Sequence, residues 1–205
     1  MSMCPFHYQE HRSCDSELIG RFIDTFPLAL ITSRVDGRHY SSHIPLLRDH
    51  DGTLFGHADR RNPQFAADIV DAQIFFTGPN TYVPPEGYST PQLPTWNYLC
   101  VHMQATVEVQ HTRQQALWAL QKSAQAFGGT HSNYRVDPED PRVESNLSHI
   151  VALRFATFQV EARFKLSQNK SERDRNTALE WFLDNNLNQH RQLFQDILAL
   201  TVSAD

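Results

Sequence analysis

Five consecutive residues near the C-terminal third, Lys165–Asn169 (K-L-S-Q-N), carry an ammonium, a hydroxyl and two carboxamides, and Lys170 adds a second cation. Neutral hydrogen-bonding groups set between two cations suit a polar or phosphorylated ligand, because charge-assisted hydrogen bonds to an anion are the strong ones. An alternating strand pattern runs into this stretch and a charged, helix-starting pattern runs out of it. The same residues therefore also read as a strand end followed by a helix N-cap. Other chemistry-bearing side chains are dispersed. The eleven histidines raise metal or heme binding as a question, but they form no compelling pair at helical ligand spacing. Cys4, Cys14 and Cys100 are odd in number and lack a C-x-x-C pair. That argues against a disulfide framework or a structural zinc site and fits a reducing cytoplasm. No side-chain acid–base pair or nucleophile arrangement stands out.

The elements that must position the K-L-S-Q-N stretch follow from periodicity. Asp15 or Ser16 caps a first helix with Leu18, Ile19, Phe22, Ile23 and Phe26 at helical spacing, and Pro27 ends it. Leu28–Ser33 is a short strand, Asp36-Gly37 a hairpin turn, and Arg38–Leu47 the return strand, with Pro45 marking an edge or bulge. A second turn at Asp49–Gly52 leads to a strand over Thr53–His57, completing a three-stranded meander. Asn62-Pro63 opens a short helix through Val70, and Ala72–Thr77 is a fourth strand. Gly78–Thr95 carries five prolines and reads as an irregular loop. Val101–Gln110 alternates cleanly, apolar at odd positions and polar at even ones. Thr112 caps a helix that Gly128-Gly129 stops, and His131–Arg142 is a polar connection. Along Ile150–Leu166 the apolar phase moves from odd positions (Leu153, Phe155) to even ones (Phe158 to Leu166), as where a sheet curls. Beyond Asp174, apolar spacing gives one or two C-terminal helices. Six or more antiparallel strands with peripheral helices make a small β-barrel of α+β type.

Composition bounds the partners. With 205 residues, 40% hydrophobic and 20% charged, the chain has ordinary globular composition. No apolar run approaches the roughly 20 residues of a membrane span, and the first residues lack the apolar segment of a secretory signal. The net charge of −5, with positive charge scattered, disfavours direct DNA contact by a single copy.

Four motifs stand in register: H-I-P-L-L (His43–Leu47), G-H-A-D-R-R-N-P-Q (Gly56–Gln64), P-T-W-N-Y (Pro94–Tyr98) and K-L-S-Q-N. Together they resemble the PaiB-like family of FMN-binding negative transcriptional regulators, over about residues 3–180. The resemblance implies a six-stranded antiparallel split β-barrel over 1–170, and the helices read from apolar spacing then form a C-terminal extension over 171–205, packed on the barrel or on a dimer partner. It also implies a homodimer with FMN in the groove between subunits. Its implied cofactor shell is Ser41, Ser42, His43, His57, Arg60, Asn62, Gln64, Thr77, Gly78, Tyr82, Trp96, Asn97, Lys165, Gln168 and Asn169. Arg60 with the exposed N–H groups of the Asn62-Pro63 helix start would make the phosphate site. Plainer roles are open for several of these: Arg60-Arg61 as solvated charge, Asn62 as a cap, Trp96 as a core or interface anchor, His43 and His57 as hydrogen-bonding groups. One departure stands out. Family members carry a longer loop of the Y-V-S-P-x-W-Y kind with a basic tail, whereas Tyr82–Leu93 here is shorter, has Gly87 at the tryptophan position and has no lysine or arginine. The expected function is a regulator or redox-responsive module. An FMN-dependent oxidoreductase is the alternative, and a heme-binding split barrel a third class.

Overall fold

The computed structural model describes residues 8–129, 132–186 and 191–202. Cys4, His131 and Leu187 lie outside them. Asp15 accepts a hydrogen bond from the Leu18 amide at 2.8 Å and starts α1 (Ser16–Thr25), after β1 (Arg12–Ser13). β2 (Leu28–Val35) and β3 (Arg38–Pro45) form the expected hairpin, paired from Leu28↔Pro45 to Val35↔Arg38. Its turn residues Asp36 and Gly37 both have positive φ, 49° and 78°. That is the geometry a two-residue turn needs to match strand twist.

The meander, however, breaks at Leu46, whose amide is taken by the Pro27 carbonyl. β4 (Leu47–Arg48) pairs instead with β5 (Leu54–Asp59). The following helix is a three-residue 3-10 turn, Pro63–Phe65, rather than a helix to Val70. The chain then returns to extended form in β6 (Ile69–Val83), which runs on through Pro79. Thus the expected loop after Thr77 is strand as far as Val83, and β7 (Thr95–Gln110) starts earlier than its alternating core. α2 (Arg113–Gly128) opens on a Thr112–Gln115 capping box. α3 (Pro141–Leu147), capped by Asp140, lies within and beyond a stretch that reads as polar connection. β8 (Ile150–Lys165), α4 (Glu172–Asn185) and α5 (Arg191–Val202) complete the chain.

The eight strands form one sheet in the order β3-β2-β6-β7-β8-β5-β4, with β1 paired to β8. Six of them are longer than two residues. The strand count therefore exceeds the expected six by the two-residue β1 and β4, segments too short to leave a periodic signal. The phase change in β8 is real but later than the sequence suggests. Phe158 and Val160 are 65% and 44% exposed, and the buried even-numbered row holds only from Ala162 through Phe164 to Leu166.

Contacts divide the described chain into two compact units, with β6, β7 and β8 contributing to both. In one unit Phe22, fully buried on α1, packs on Phe26 and Phe164 with ring centroids 5.1 and 5.3 Å apart. Phe182 of α4 meets Phe194 of α5 edge-on at 5.3 Å in the same unit. Each such burial contributes about 1.5–3 kcal/mol. In the other unit, α2 covers β5 through a Phe55–Trp118 contact with centroids 4.6 Å apart.

Candidate functional site

The K-L-S-Q-N stretch ends β8 and turns sharply. Ser167 takes a left-handed φ of 64°, and its buried hydroxyl lies 3.1 Å from the Tyr88 hydroxyl and accepts a hydrogen bond from Asn97 Nδ2 at 3.1 Å. Gln168 folds back: its Oε1 accepts from the Leu166 amide at 2.7 Å and lies 3.2 Å from His11 Nδ1, while its amide nitrogen donates to the Phe164 carbonyl. Three polar side chains, Ser167, Asn97 and Gln168, are thus spent on holding the turn.

What that turn presents is cationic. Lys165 Nζ donates to Thr95 Oγ1 at 2.6 Å and Lys170 Nζ donates to Gln92 Oε1 at 2.9 Å. Both line a cavity of about 290 Å³ together with Asn169, Thr95, Tyr8 and Glu10. Neither ammonium is ion-paired with a carboxylate among the described residues. Partial burial and then the nearby Lys170 charge hold the Lys165 pKa below its ordinary value. Two like charges thus share one half-buried spot.

The wall of this cavity depends on a residue outside the motifs. Asp174, buried in the first turn of α4, accepts hydrogen bonds from the amides of Ser89 and Thr90, each at 2.9 Å, from the Thr90 hydroxyl at 2.6 Å and from Gln92 at 3.2 Å. It thereby fixes the segment that carries Gln92, the partner of Lys170. A helix-starting aspartate looks like an ordinary cap in sequence, and Ser171 is indeed the cap. Gly87, at the position where the family has tryptophan, sits under the ring of Trp181 from α4. A Cβ at Gly87 would lie 2.7 Å from Val83 Cγ1 and 3.4 Å from Trp181 Cγ, and Trp181 Nε1 donates to the Tyr82 carbonyl at 3.1 Å. The Trp181 indole thus packs over Gly87.

Nearby, Tyr82 and Trp96 are about half exposed, with ring centroids 6.2 Å apart, and Trp96 Nε1 donates to Asn80 Oδ1 at 3.1 Å. Trp96 is therefore not a core anchor. Thr77 is exposed. Gly78 gives room to Phe22: a Cβ there would lie 2.8 Å from Phe22 Cε2.

The remaining candidates gather in the other unit. Ser42 Oγ donates to Gln64 Oε1 at 2.6 Å and accepts from Asn62 Nδ2 at 2.9 Å, and Gln64 Nε2 donates to the Ile31 carbonyl at 3.0 Å. Asn62 also caps the 3-10 turn by accepting from the Gln64 amide at 3.0 Å. This network ties the 3-10 turn to the β2–β3 hairpin. Arg60 is spent too, donating to the carbonyls of Ser148, His111 and Ile150 at 3.0–3.2 Å. The expected anion site on Arg60 and a helix start is thus a 3-10 turn of three residues with its guanidinium committed to backbone. Ser41 and His43 are exposed on β3, and His57 is mostly buried on β5. Burial alone lowers the His57 pKa. Cys100 is buried with its thiol pushed up to about 11, so it stays protonated near neutrality. Among the described residues no cluster of three histidine, cysteine or carboxylate side chains could hold a metal ion. No described helix is long and apolar enough to cross a membrane.

Residues 5–158 match the family described as "Putative FMN-binding domain". The chain belongs to the PaiB-like FMN-binding family. Family membership makes FMN its cofactor. A relative from Bacillus subtilis, the protease synthase and sporulation protein PAI 2, is 27% identical over 90% of this chain and 93% of its own length. Two solved structures share the fold. The FAD and heme binding protein of Mycobacterium smegmatis is 19% identical with a TM-score of 0.60, covering 76% of this chain and 73% of that one. The flavocytochrome Anf3 of Azotobacter vinelandii is 13% identical with a TM-score of 0.61, covering 78% and 71%. The chain is therefore a mainly β, antiparallel α+β protein of the flavin-binding split-barrel kind.

Proposed function

We propose that this PaiB-like protein is a dimeric, redox-responsive regulatory module that holds FMN with its phosphate end in the Lys165–Lys170 cavity. The observation that carries the reading is the pair of ammonium groups, unpaired with carboxylate, in one cavity built by the family motif. The donor set fits a phosphate: two ammoniums and the Asn169 amide, with Thr95 and Gln92 orienting the lysines. Bound FMN supplies reversible electron and hydride transfer, while the protein supplies position and electrostatics. Lys165 and Lys170 neutralise the dianion, and Asp174 keeps Lys170's partner segment in place. The exposed Tyr82–Trp96 pair offers apolar ring surface in the same unit.

Dimerisation is supported by the other unit. Phe158 and Val160 present apolar surface on one strand, and Phe158 borders a depression of about 400 Å³ that also exposes Thr32, Arg34 and His39. The regulatory part of the proposal draws on the family resemblance, and the net charge of −5 directs it away from direct DNA contact.

A visible absorption spectrum of the purified protein, with a thermal melt in the absence and presence of added FMN, tests the reading. Flavin bands or an FMN-dependent rise in melting temperature is expected. Colourless protein with no melting shift would overturn the cofactor assignment. Full reduction of the bound flavin by a nicotinamide cofactor at a turnover rate would favour the oxidoreductase instead.

A further inference from the structure

A second cavity, separate from the two lysines, lies between α2, α3 and the outer face of β5. It has a volume of about 640 Å³, inside the roughly 300–1,000 Å³ range of small-molecule sites. Leu120, Ser123, Ala124 and Phe127 line it at i, i+3, i+4 and i+7, so one whole face of α2 is turned toward it. Val143 and Ile150 close the opposite side.

Its polar groups define the ligand. Arg142 contributes little free charge, because its guanidinium is engaged by Asp140 with a contact of 2.6 Å. Asn146 donates its amide to the Arg142 carbonyl at 2.8 Å. His57 and Ser123 are different: neither has a hydrogen-bond partner among the described residues, and Ser123 is only 8% exposed. The Ser123 side chain is largely buried while its hydroxyl keeps accessible surface and lines the cavity, so it is open to a ligand's polar group. Burial favours the neutral imidazole, so His57 offers one donor and one acceptor without charge.

We propose that this cavity binds a small, neutral, largely apolar molecule whose one or two hydrogen-bonding groups meet Ser123 and His57. An anionic ligand is disfavoured, since the nearby guanidinium is already neutralised. The site is distinct from the phosphate cavity, and the proposal stands whether or not FMN binds there.

N-phenyl-1-naphthylamine, a neutral apolar dye that brightens and shifts to the blue in apolar surroundings, is a suitable probe for the full-length protein. Saturable binding at one site per chain is expected, unaffected by excess FMN. Ala124→Trp and, separately, Ser123→Leu each fill the cavity. Each is expected to weaken the dye at least tenfold while the melting temperature and the far-ultraviolet circular dichroism are retained. If one variant fails to fold, the other decides. Absent or non-saturable dye binding to the wild type would overturn the proposal, as would undiminished binding to the folded variants. Competitive displacement of the dye by FMN would assign the cavity to the cofactor and equally refute a separate site.

Discussion

Replacing Lys165 with alanine isolates the electrostatics of the proposed phosphate cavity. The side chain is half-buried, its ammonium donates to the neutral Thr95 hydroxyl at 2.6 Å, and Lys170 lines the same cavity. A charge-assisted hydrogen bond in such a place is worth about 1.5–3 kcal/mol. Some of this returns in the variant, because Lys170 no longer shares the cavity with a like charge. A net loss near 2 kcal/mol remains, which is about a thirtyfold weaker FMN dissociation constant. Riboflavin, which lacks the phosphate, provides the internal control: its affinity is expected to stay within about twofold, since each 1.4 kcal/mol corresponds to a factor of ten. Titration by flavin fluorescence at low and high salt reads both quantities, and the salt dependence of FMN binding should fall in the variant. The sign for the apo protein is opposite. Burial and the Lys170 charge lower the folded-state pKa of Lys165, so its charged form is destabilising below that pKa and the penalty fades as pH rises toward the ordinary lysine value. Lys165→Ala should therefore leave the apo melting temperature at neutral pH unchanged or raise it. Undiminished FMN affinity, or equal losses for FMN and riboflavin, would refute the phosphate assignment.

Gly78→Ala places a Cβ 2.8 Å from the edge of the fully buried Phe22 ring. It should cost about 1–3 kcal/mol in urea unfolding with an unchanged denaturant slope. Asp174→Asn should lower the melting temperature and remove an acid-sensitive phase. The Thr90 hydroxyl, the Thr90 and Ser89 amides and Ser171 hold the Asp174 pKa below 3.8, so its stabilisation is present above that value and disappears as pH falls through the lowered one. Melting curves of wild type and variant that stay parallel from pH 5 to about 2 would contradict this. Phe158→Glu should convert a dimer to a monomer in sedimentation velocity without unfolding it; a dimer that survives the change would move the interface elsewhere.

Much of the fold was legible. The helix caps at Asp15 and Thr112, the Asp36-Gly37 hairpin and the alternating strand into Gln110 all come from local chemistry, and local chemistry is what periodicity and turn rules report. The misses share a cause. β6 runs through Thr77–Val83 despite Pro79 because strand pairing, a non-local interaction, overrides the local breaker signal. The helix after Asn62 stops after three residues because the chain is drawn back into that same strand. The exposure of Phe158 and Val160 could not be read from alternation, since apolar residues on an outer face alternate just as core residues do.

The site divides the same way. Sequence alone determined that Lys165, Ser167, Gln168, Asn169 and Lys170 stand together at a strand end, because neighbours in a turn are neighbours in space. It also carried the family, and with it FMN, through motifs whose order survives without knowledge of their geometry. Tertiary structure alone decided which of those polar groups are free. Asn97 and Arg60 are consumed by partners 51 to 90 residues away in the chain, and Asp174 acquires its role from the Ser89–Gln92 segment over 80 residues earlier. A hydrogen-bond donor is used once, and which acceptor claims it depends on contacts that the local sequence does not encode.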